Sequence, residues 1–464
     1  MPPWFVWKVL FPLQEKIKGH PTFEILRQME QADRMTPSGL EQHQARLLGG
    51  LIQYGYTHVP FVRNRFDKLG LMPRDIASAR DLRKLPVTTK NDIRTSRQEM
   101  RSRIATGLES RATGGSTGAP LIFDLSSRRI GSQVACRQRV ARWWGLAAGD
   151  PELALWGSPI EVGRHDWIRS LRDRAMNTQL LSAFEMNEAT MSRYLDILEH
   201  QRCRQIFAYP SAIELLCRHA RKEGRQLRGV GVKAVFVTGE VLYPYQRSLI
   251  EETLACQVAD GYGGRDSGFI AHGCPAGGMH VMADSMIVEL LDAAGNSVAP
   301  GEPGEIVVTD LYSHETPFIR YATGDVAVAS QRPCTCGRPM PLLERIEGRQ
   351  NDLIAAQDGR FINSLALIYP VREVEGVEQF RIVQEEIDRF HVQIVRAPNF
   401  TGAAAEERIR TAWSRLLRSD LNVSFEYLDA FPAERSGKFR HVRSRLTERA
   451  GQPLPEDVRP GGSA

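Results

Sequence analysis

Six consecutive residues, Thr113-Gly114-Gly115-Ser116-Thr117-Gly118, combine three glycines with three hydroxyl side chains. Glycine lets the backbone approach a phosphate and turn successive N–H groups toward it, while the hydroxyls add donors to non-bridging oxygens. No Gly-Lys-Ser/Thr follows, so the stretch is not a Walker A loop. A flexible polar surface loop has the same composition and is the plain alternative. A second constellation holds sulfur and imidazole. Cys274, with His272 and His280 on either side, precedes a Cys334-Thr335-Cys336 turn about sixty residues later. Three thiols and one imidazole make a closed tetrahedral set, as structural zinc prefers; a catalytic zinc would keep one position open. Reduced thiols without metal are the alternative here. Cys136, Cys203, Cys217 and Cys256 fall in helix or strand contexts and read as core.

The elements around these residues set their positions. The first hundred residues read as helices, with Asp75 to Leu82 helical and Leu85-Pro86-Val87-Thr88 extended. Beyond the glycine loop, strands and helices alternate, as in parallel sheets covered by helices. Leu153 to Trp156, Gln205 to Tyr209 and Val232 to Thr238 read as buried strands, and Met191, Tyr194, Leu195 and Leu198 line one helix face. After Gly261, strands at Met279 to Met282, Ser285 to Leu291 and Glu305 to Leu311 are separated by turn residues, an antiparallel pattern compatible with a small barrel. A boundary falls near Gly348. Then come strands at Gln379 to Gln384 and His391 to Val395, a helix with inner stripe Ile409, Ala412, Trp413, Leu416 and Leu417, and a strand at Val423 to Leu428. The expected fold is α/β: a large multi-sheet domain over 1–348 with a small β subdomain, an α+β lid over 349–450, and a disordered tail at 451–464.

Four downstream segments stand in the order used by the adenylate-forming superfamily, which includes acyl-CoA synthetases. They are Gly261-Tyr262-Gly263-Gly264-Arg265-Asp266-Ser267-Gly268, Arg320-Tyr321-Ala322-Thr323-Gly324-Asp325, Arg345-Ile346-Glu347-Gly348-Arg349 and Ser436-Gly437-Lys438. Tyr209-Pro210-Ser211, Thr238-Gly239-Glu240, the Cys334 to Arg338 turn and Gly437-Lys438-Phe439-Arg440 resemble the phenylacetate–CoA ligase and CapK-like branch. The resemblance covers roughly residues 60 to 445. It implies that Gly114 to Gly118, opened by Thr113, hold the β- and γ-phosphates of ATP, and that Tyr262 lies against adenine beside Gly239 and Glu240. Asp325 would accept from both ribose hydroxyls, and Arg349 would contact ribose or phosphate. Tyr209, Pro210, Gly261 and Gly263 would line the acid's pocket. Lys438 would neutralise charge between the attacking carboxylate and the α-phosphate; an exposed lysine after a Ser-Gly turn is the plain reading. His280 rather than His272 matches the branch as fourth zinc ligand.

Two departures from the family pattern matter. Asp266 stands where the family usually has a Glu that helps hold Mg²⁺, so the ion must sit closer or bind through water. The hinge position is Asn351, not the common Asp or Lys, and Asn tolerates unusual backbone angles.

The expected activity is acyl-adenylate formation with pyrophosphate release, then transfer to a thiol, CoA foremost. The alternatives are an acyl or aminoacyl transferase making an amide or ester without CoA, and a non-catalytic scaffold. A net charge of +5, with arginines scattered, argues against nucleic acid as partner. The apolar segment Trp4 to Phe11 is interrupted by Lys8, too short for the roughly 20 residues of a spanning helix, and lacks a cleavage site. It reads either as a helix packing its tryptophans on the large domain or as an interfacial helix making peripheral membrane contact. A reducing cytoplasm is expected. The acid's identity and the oligomeric state are not legible in the sequence.

Overall fold

The computed structural model describes residues 1–113, 121–156, 172–183, 186–349, 353–357, 361–363, 365–431 and 441–446. Gly114 to Gly118, Asn351, Lys438 and the 451–464 tail lie outside the described residues, as does the side chain of Arg349. The chain divides into two compact units, the first closing at Ile346 and the second opening at Glu347.

In chain order the strands of the first unit are β1 Glu109–Ala112, β2 Ile122–Leu125, β3 Glu152–Leu155, β4 Thr178–Leu181, β5 Gln205–Ala208, β6 Ala234–Thr238 and β7 Gln257–Gly264. They continue with β8 Gly268–Gly273, β9 Met279–Val281, β10 Met286–Leu291, β11 Pro303–Asp310, β12 Tyr321–Ala329 and β13 Leu342–Arg349. Among the described residues, β3 to β13 form one eleven-stranded sheet in the order β10-β11-β12-β13-β9-β8-β7-β6-β5-β3-β4. The run β4-β3-β5-β6-β7 is parallel throughout. Beyond β7, the pairs β7–β8, β8–β9, β9–β13, β11–β12 and β10–β11 are antiparallel. The strands expected after Gly261 therefore extend the parallel sheet and do not close into a separate barrel. The physical reason is that β7 pairs on both edges: Thr238↔Gly261 with β6 and Gly261↔His272 with β8.

The parallel strands are apolar on both faces because helices cover both. Leu153, Leu155, Ile206, Ala208, Val235 and Val237 form one core with Met191, Tyr194, Leu195 and Leu198 of the helix Glu188–Gln201. Each such fully buried aliphatic chain contributes about 1.5–3 kcal/mol. The stretch expected as a helix over Asp75 to Leu82 is instead two 3₁₀ turns, Pro73–Asp75 and Ala79–Lys84. Asp81 there accepts from the Ser78 backbone N–H at 3.0 Å and from its hydroxyl at 2.8 Å, local bonds that compete with a longer helix.

In the second unit, β14 Leu353–Ala355 pairs with β15 Phe361–Asn363, followed by the helix Leu365–Arg372. Then β16 Val377–Gln384, β17 Arg389–Arg396, β18 Asn422–Leu428 and β19 Val442–Ser444 form a sheet in the order β18-β17-β16-β19. The helix Ala403–Leu417 buries Ile409, Trp413 and Leu417, and the Trp413 indole donates to the Leu367 carbonyl at 3.0 Å.

Candidate active site and metal centre

Ligands of open α/β sheets bind beyond the carboxyl ends of the parallel strands. Here β5, β6 and β7 end side by side, with Ala208↔Val237 and Thr238↔Gly261 in register. The extensions of β5 and β6 carry Tyr209-Pro210 and Gly239-Glu240, and Gly261-Tyr262 lies within β7 beside them. Tyr209 is buried and stacked on Trp156 at 3.9 Å between ring centroids. Glu240 accepts from the Ser211 N–H and hydroxyl, both at 3.0 Å. Ser211 lies in the first turn of the helix Pro210–Lys222, where a carboxylate is favoured. Gly261 and Gly263 have packing reasons of their own. A Cβ at Gly261 would meet His272 Nε2 at 2.8 Å, and one at Gly263 would meet the Gly268 carbonyl at 2.2 Å.

The segment Arg320 to Asp325 is braced residue by residue. The Arg320 guanidinium donates twice to Glu289 at 3.0 Å and once to the Leu85 carbonyl at 2.5 Å. The Tyr321 hydroxyl donates to Asp266 Oδ2 at 2.5 Å. Thr323 Oγ1 donates to the Ile306 carbonyl at 2.9 Å and accepts from the Asp325 N–H at 3.1 Å. Gly324 sits at φ +81, a left-handed angle that suits glycine. Asp325 Oδ2 then accepts from the Tyr262 hydroxyl at 2.7 Å. Burial and this carboxylate hold the Tyr262 phenol well above its ordinary range.

Two residues that sequence reasoning missed adjoin that turn. Lys90 Nζ donates to the Thr323 carbonyl at 2.9 Å. Glu305 lies beside the same turn; burial raises its pKa, with Lys90 opposing and Asp325 adding to the shift. Lys90 is delivered by the Thr88 bridge to Tyr321 and by a helix that Thr89 and Asp92 cap reciprocally. That Thr-x-x-Asp capping box was legible in the sequence; its docking 233 residues away was not.

The hairpin β1–β2 carries the stem of the glycine loop. The Thr113 N–H donates to the Leu121 carbonyl and the Leu121 N–H to Thr113 Oγ1, each at 3.0 Å. Asp124 on β2 receives Arg97 at 2.6 and 3.0 Å and Arg101 at 2.8 and 2.9 Å. Burial pushes the Asp124 carboxyl up, but hydrogen bonds from Arg101, Arg97 and Ser110 outweigh it and hold it well below the usual carboxylate range. Arg265 donates to the Ala112 carbonyl at 3.4 Å, tying this stem to the Asp266 turn. Asp266 offers a single half-buried carboxylate, suited to an octahedral Mg²⁺ that takes its other ligands from water and phosphate.

Beneath that turn, fully buried Arg129 donates to Asp310 at 2.7 Å and to the Asp266 carbonyl at 2.5 Å. Arg129→Met strands Asp310 in the core, with an expected loss of about 3–5 kcal/mol. Urea unfolding measures it, and adding Asp310→Asn should restore much of the loss.

Cys274, His280, Cys334 and Cys336 converge, with their donor atoms all within 4.8 Å of one another. Cys274 Sγ lies 3.5 Å from Cys334 Sγ, and Cys336 Sγ 3.2 Å from His280 Nε2. A tetrahedron with Zn–S bonds of about 2.3 Å has edges of about 3.8 Å, so the donor set fits zinc. His280 Nδ1 meets the Met340 carbonyl at 3.3 Å, an outer partner that presents Nε2 to the thiols. Burial pushes the Cys274 thiol up to about 11, helped by Cys334. At Cys336 burial acts in the same direction, but hydrogen bonds led by those from Arg338 outweigh it and lower the pKa. His272 is not in the group. It packs against Phe236 and Phe269, and burial lowers its pKa to about 4.

The CapK C-terminal domain family matches residues 354–445. Protein CapK of Staphylococcus aureus is 22% identical over 371 residues, covering 79% of this chain and 81% of that protein. The phenylacetate-coenzyme A ligase of Thermus thermophilus is 23% identical over 443 residues, covering 91% and 92%. Among solved structures, a 2-hydroxyisobutyryl-CoA ligase in the postadenylation state with 2-HIB-AMP superposes with a TM-score of 0.73 at 22% identity, covering 91% of this chain and 93% of that one.

Proposed function

We propose that this chain, similar over most of its length to phenylacetate-coenzyme A ligases and to protein CapK, is an adenylate-forming enzyme that activates a carboxylic acid with ATP and then transfers the acyl group to a thiol, CoA foremost. The observation that carries this reading is the Tyr262–Asp325 pair at the carboxyl edge of the parallel strands, on a turn braced by Lys90. A ribose-binding carboxylate must be held still, and this one is.

In the proposed reaction a carboxylate oxygen bonds to the α-phosphorus while the bond to the bridging oxygen of pyrophosphate breaks. Both partners are anionic, so catalysis is mainly positioning and charge neutralisation. Thr113 to Gly118 would hold the outgoing phosphates and Asp266 would help hold Mg²⁺. Tyr262, Gly239 and Glu240 would border adenine, and Asp325 and Arg349 would serve ribose. Tyr209, Pro210, Gly261 and Gly263 would border the acid. Lys438 would supply the ammonium, and Asn351 the hinge between units assigned to 1–348 and 349–450. Cys274, His280, Cys334 and Cys336 would hold a structural zinc. A reducing cytoplasm belongs to the same reading.

The alternative acceptor is an amine or hydroxyl, which gives an amide or ester without CoA. Acid-dependent pyrophosphate exchange into ATP, screened over an acid library with Mg²⁺, tests the first step. Product identity with and without CoA separates the two readings; no exchange with any acid sinks both.

Lys90→Met is expected to raise the KM for ATP about tenfold, roughly 1.4 kcal/mol, with kcat little changed. It should also narrow the preference for ATP over 2′-deoxy-ATP, because a loosened Asp325 distinguishes the ribose hydroxyls less well. Equal losses with both nucleotides would mean that Lys90 merely supports the fold.

A further inference from the structure

The helical segment from Pro3 to Ile17 contains a π turn at Val6–Leu10, closed by the Phe11 N–H donating to the Val6 carbonyl. A widened turn rotates later residues relative to earlier ones, and here it sorts the helix into two faces. Val6, Phe11 and Glu15 are buried. Trp7 lies 5.7 Å from Phe11 and 5.5 Å from Phe23, with the Arg142 guanidinium 4.5 Å over its ring. Glu15 is held inside by Thr22 Oγ1 at 2.5 Å and His20 Nδ1 at 3.1 Å.

The other face is apolar and bare. Val9, Leu13 and Ile17, spaced by four, are 42%, 53% and 77% exposed, and Trp4 is 63% exposed. Lys8 and Lys16, also exposed, each precede a member of that stripe, and exposed Lys18 follows it. The one acid of the helix is the buried Glu15. Elsewhere among the described residues, the exposed large apolar side chains are Leu69, Met72, Ile104, Ile122, Leu180 and Ile387, none of which forms a stripe at helical spacing. No described helix is long and apolar enough to cross a membrane.

We propose that this face rests on an anionic membrane surface, with Val9, Leu13 and Ile17 at the acyl boundary and the lysines at phosphate level. The charge pattern selects this occupant. A second copy pairing through the same narrow stripe would bring lysine against lysine, whereas an anionic headgroup layer complements them. The proposal is independent of the chemistry assigned above.

Flotation of the full chain with vesicles of phosphatidylcholine alone, or mixed equally with phosphatidylglycerol, tests it. Wild type should float with the mixed vesicles and weakly with the neutral ones. Leu13→Glu with Ile17→Glu should cut binding at least tenfold, and Lys8→Glu with Lys16→Glu by about fivefold per lysine. These side chains are exposed, so thermal midpoint and pyrophosphate exchange should hold; should the double variant lose its fold, Ile17→Glu alone replaces it. Absence of flotation by wild type, or equal flotation by both variants, overturns the proposal. So does a vesicle-free dimer, seen by sedimentation velocity, that Leu13→Glu with Ile17→Glu abolishes without any wild-type flotation.

Discussion

Lys438→Ala is expected to lower acid-dependent pyrophosphate exchange by a factor on the order of 100 to 1000, the worth of one well-aimed donor at about 3 kcal/mol. The carboxylate and the triphosphate repel, and an ammonium that hydrogen-bonds both offsets charge that peaks in the transition state. Thioester formation from supplied acyl-AMP should largely survive, because charge between acid and α-phosphate no longer has to be neutralised once the adenylate exists. Lys438→Arg should not rescue fully, since a planar guanidinium replaces a compact point charge. Equal loss in both half-reactions would refute the assignment.

Removal of zinc is the second large effect. Purified protein should contain about one zinc per chain, and Cys334→Ser or a strong chelator should remove it. The four donors come from two regions of the chain: the end of β8 with the following strand β9, and the Cys334 turn about sixty residues later. A Cβ at Gly278 would come within 2.8 Å of Cys334 Sγ, so these segments are packed closely around the donors. The backbone cage is therefore expected to survive without the ion, and only part of the binding energy of a small zinc domain should be lost. A loss of about 3–5 kcal/mol corresponds to a fall of roughly 4–7 °C in Tm for a unit of this size. Pyrophosphate exchange per folded molecule should persist, because a closed site has no position for substrate. Metal-free protein with an unchanged Tm would remove the idea.

Much of the architecture was legible locally. The stripe Met191, Tyr194, Leu195 and Leu198 is the buried face of its helix, and the apolar runs around Ile206 and Val235 are central parallel strands. The inner stripe through Ile409 and Trp413 is likewise buried. Strands β7, β12 and β13 were not read as strands, because glycines and charged residues break their apolar pattern. Their partners, not their own composition, make them strands. Among candidate ligands, two histidines satisfied the spacing equally well. The resemblance already preferred His280, and the structure brings His280 Nε2 to Cys336 while His272 packs against Phe236 and Phe269.

The sequence by itself determined which residue types were available: a hydroxyl-rich glycine loop, an ordered series of motifs, a terminal lysine and three thiols with an imidazole. Tertiary structure alone decided that Tyr262 caps Asp325, that Tyr321 orients Asp266, and that Lys90 reaches the turn between them. The reason is range. Periodicity and capping act within a few residues along the chain, whereas these bonds join positions set by sheet register, and register depends on every strand between them.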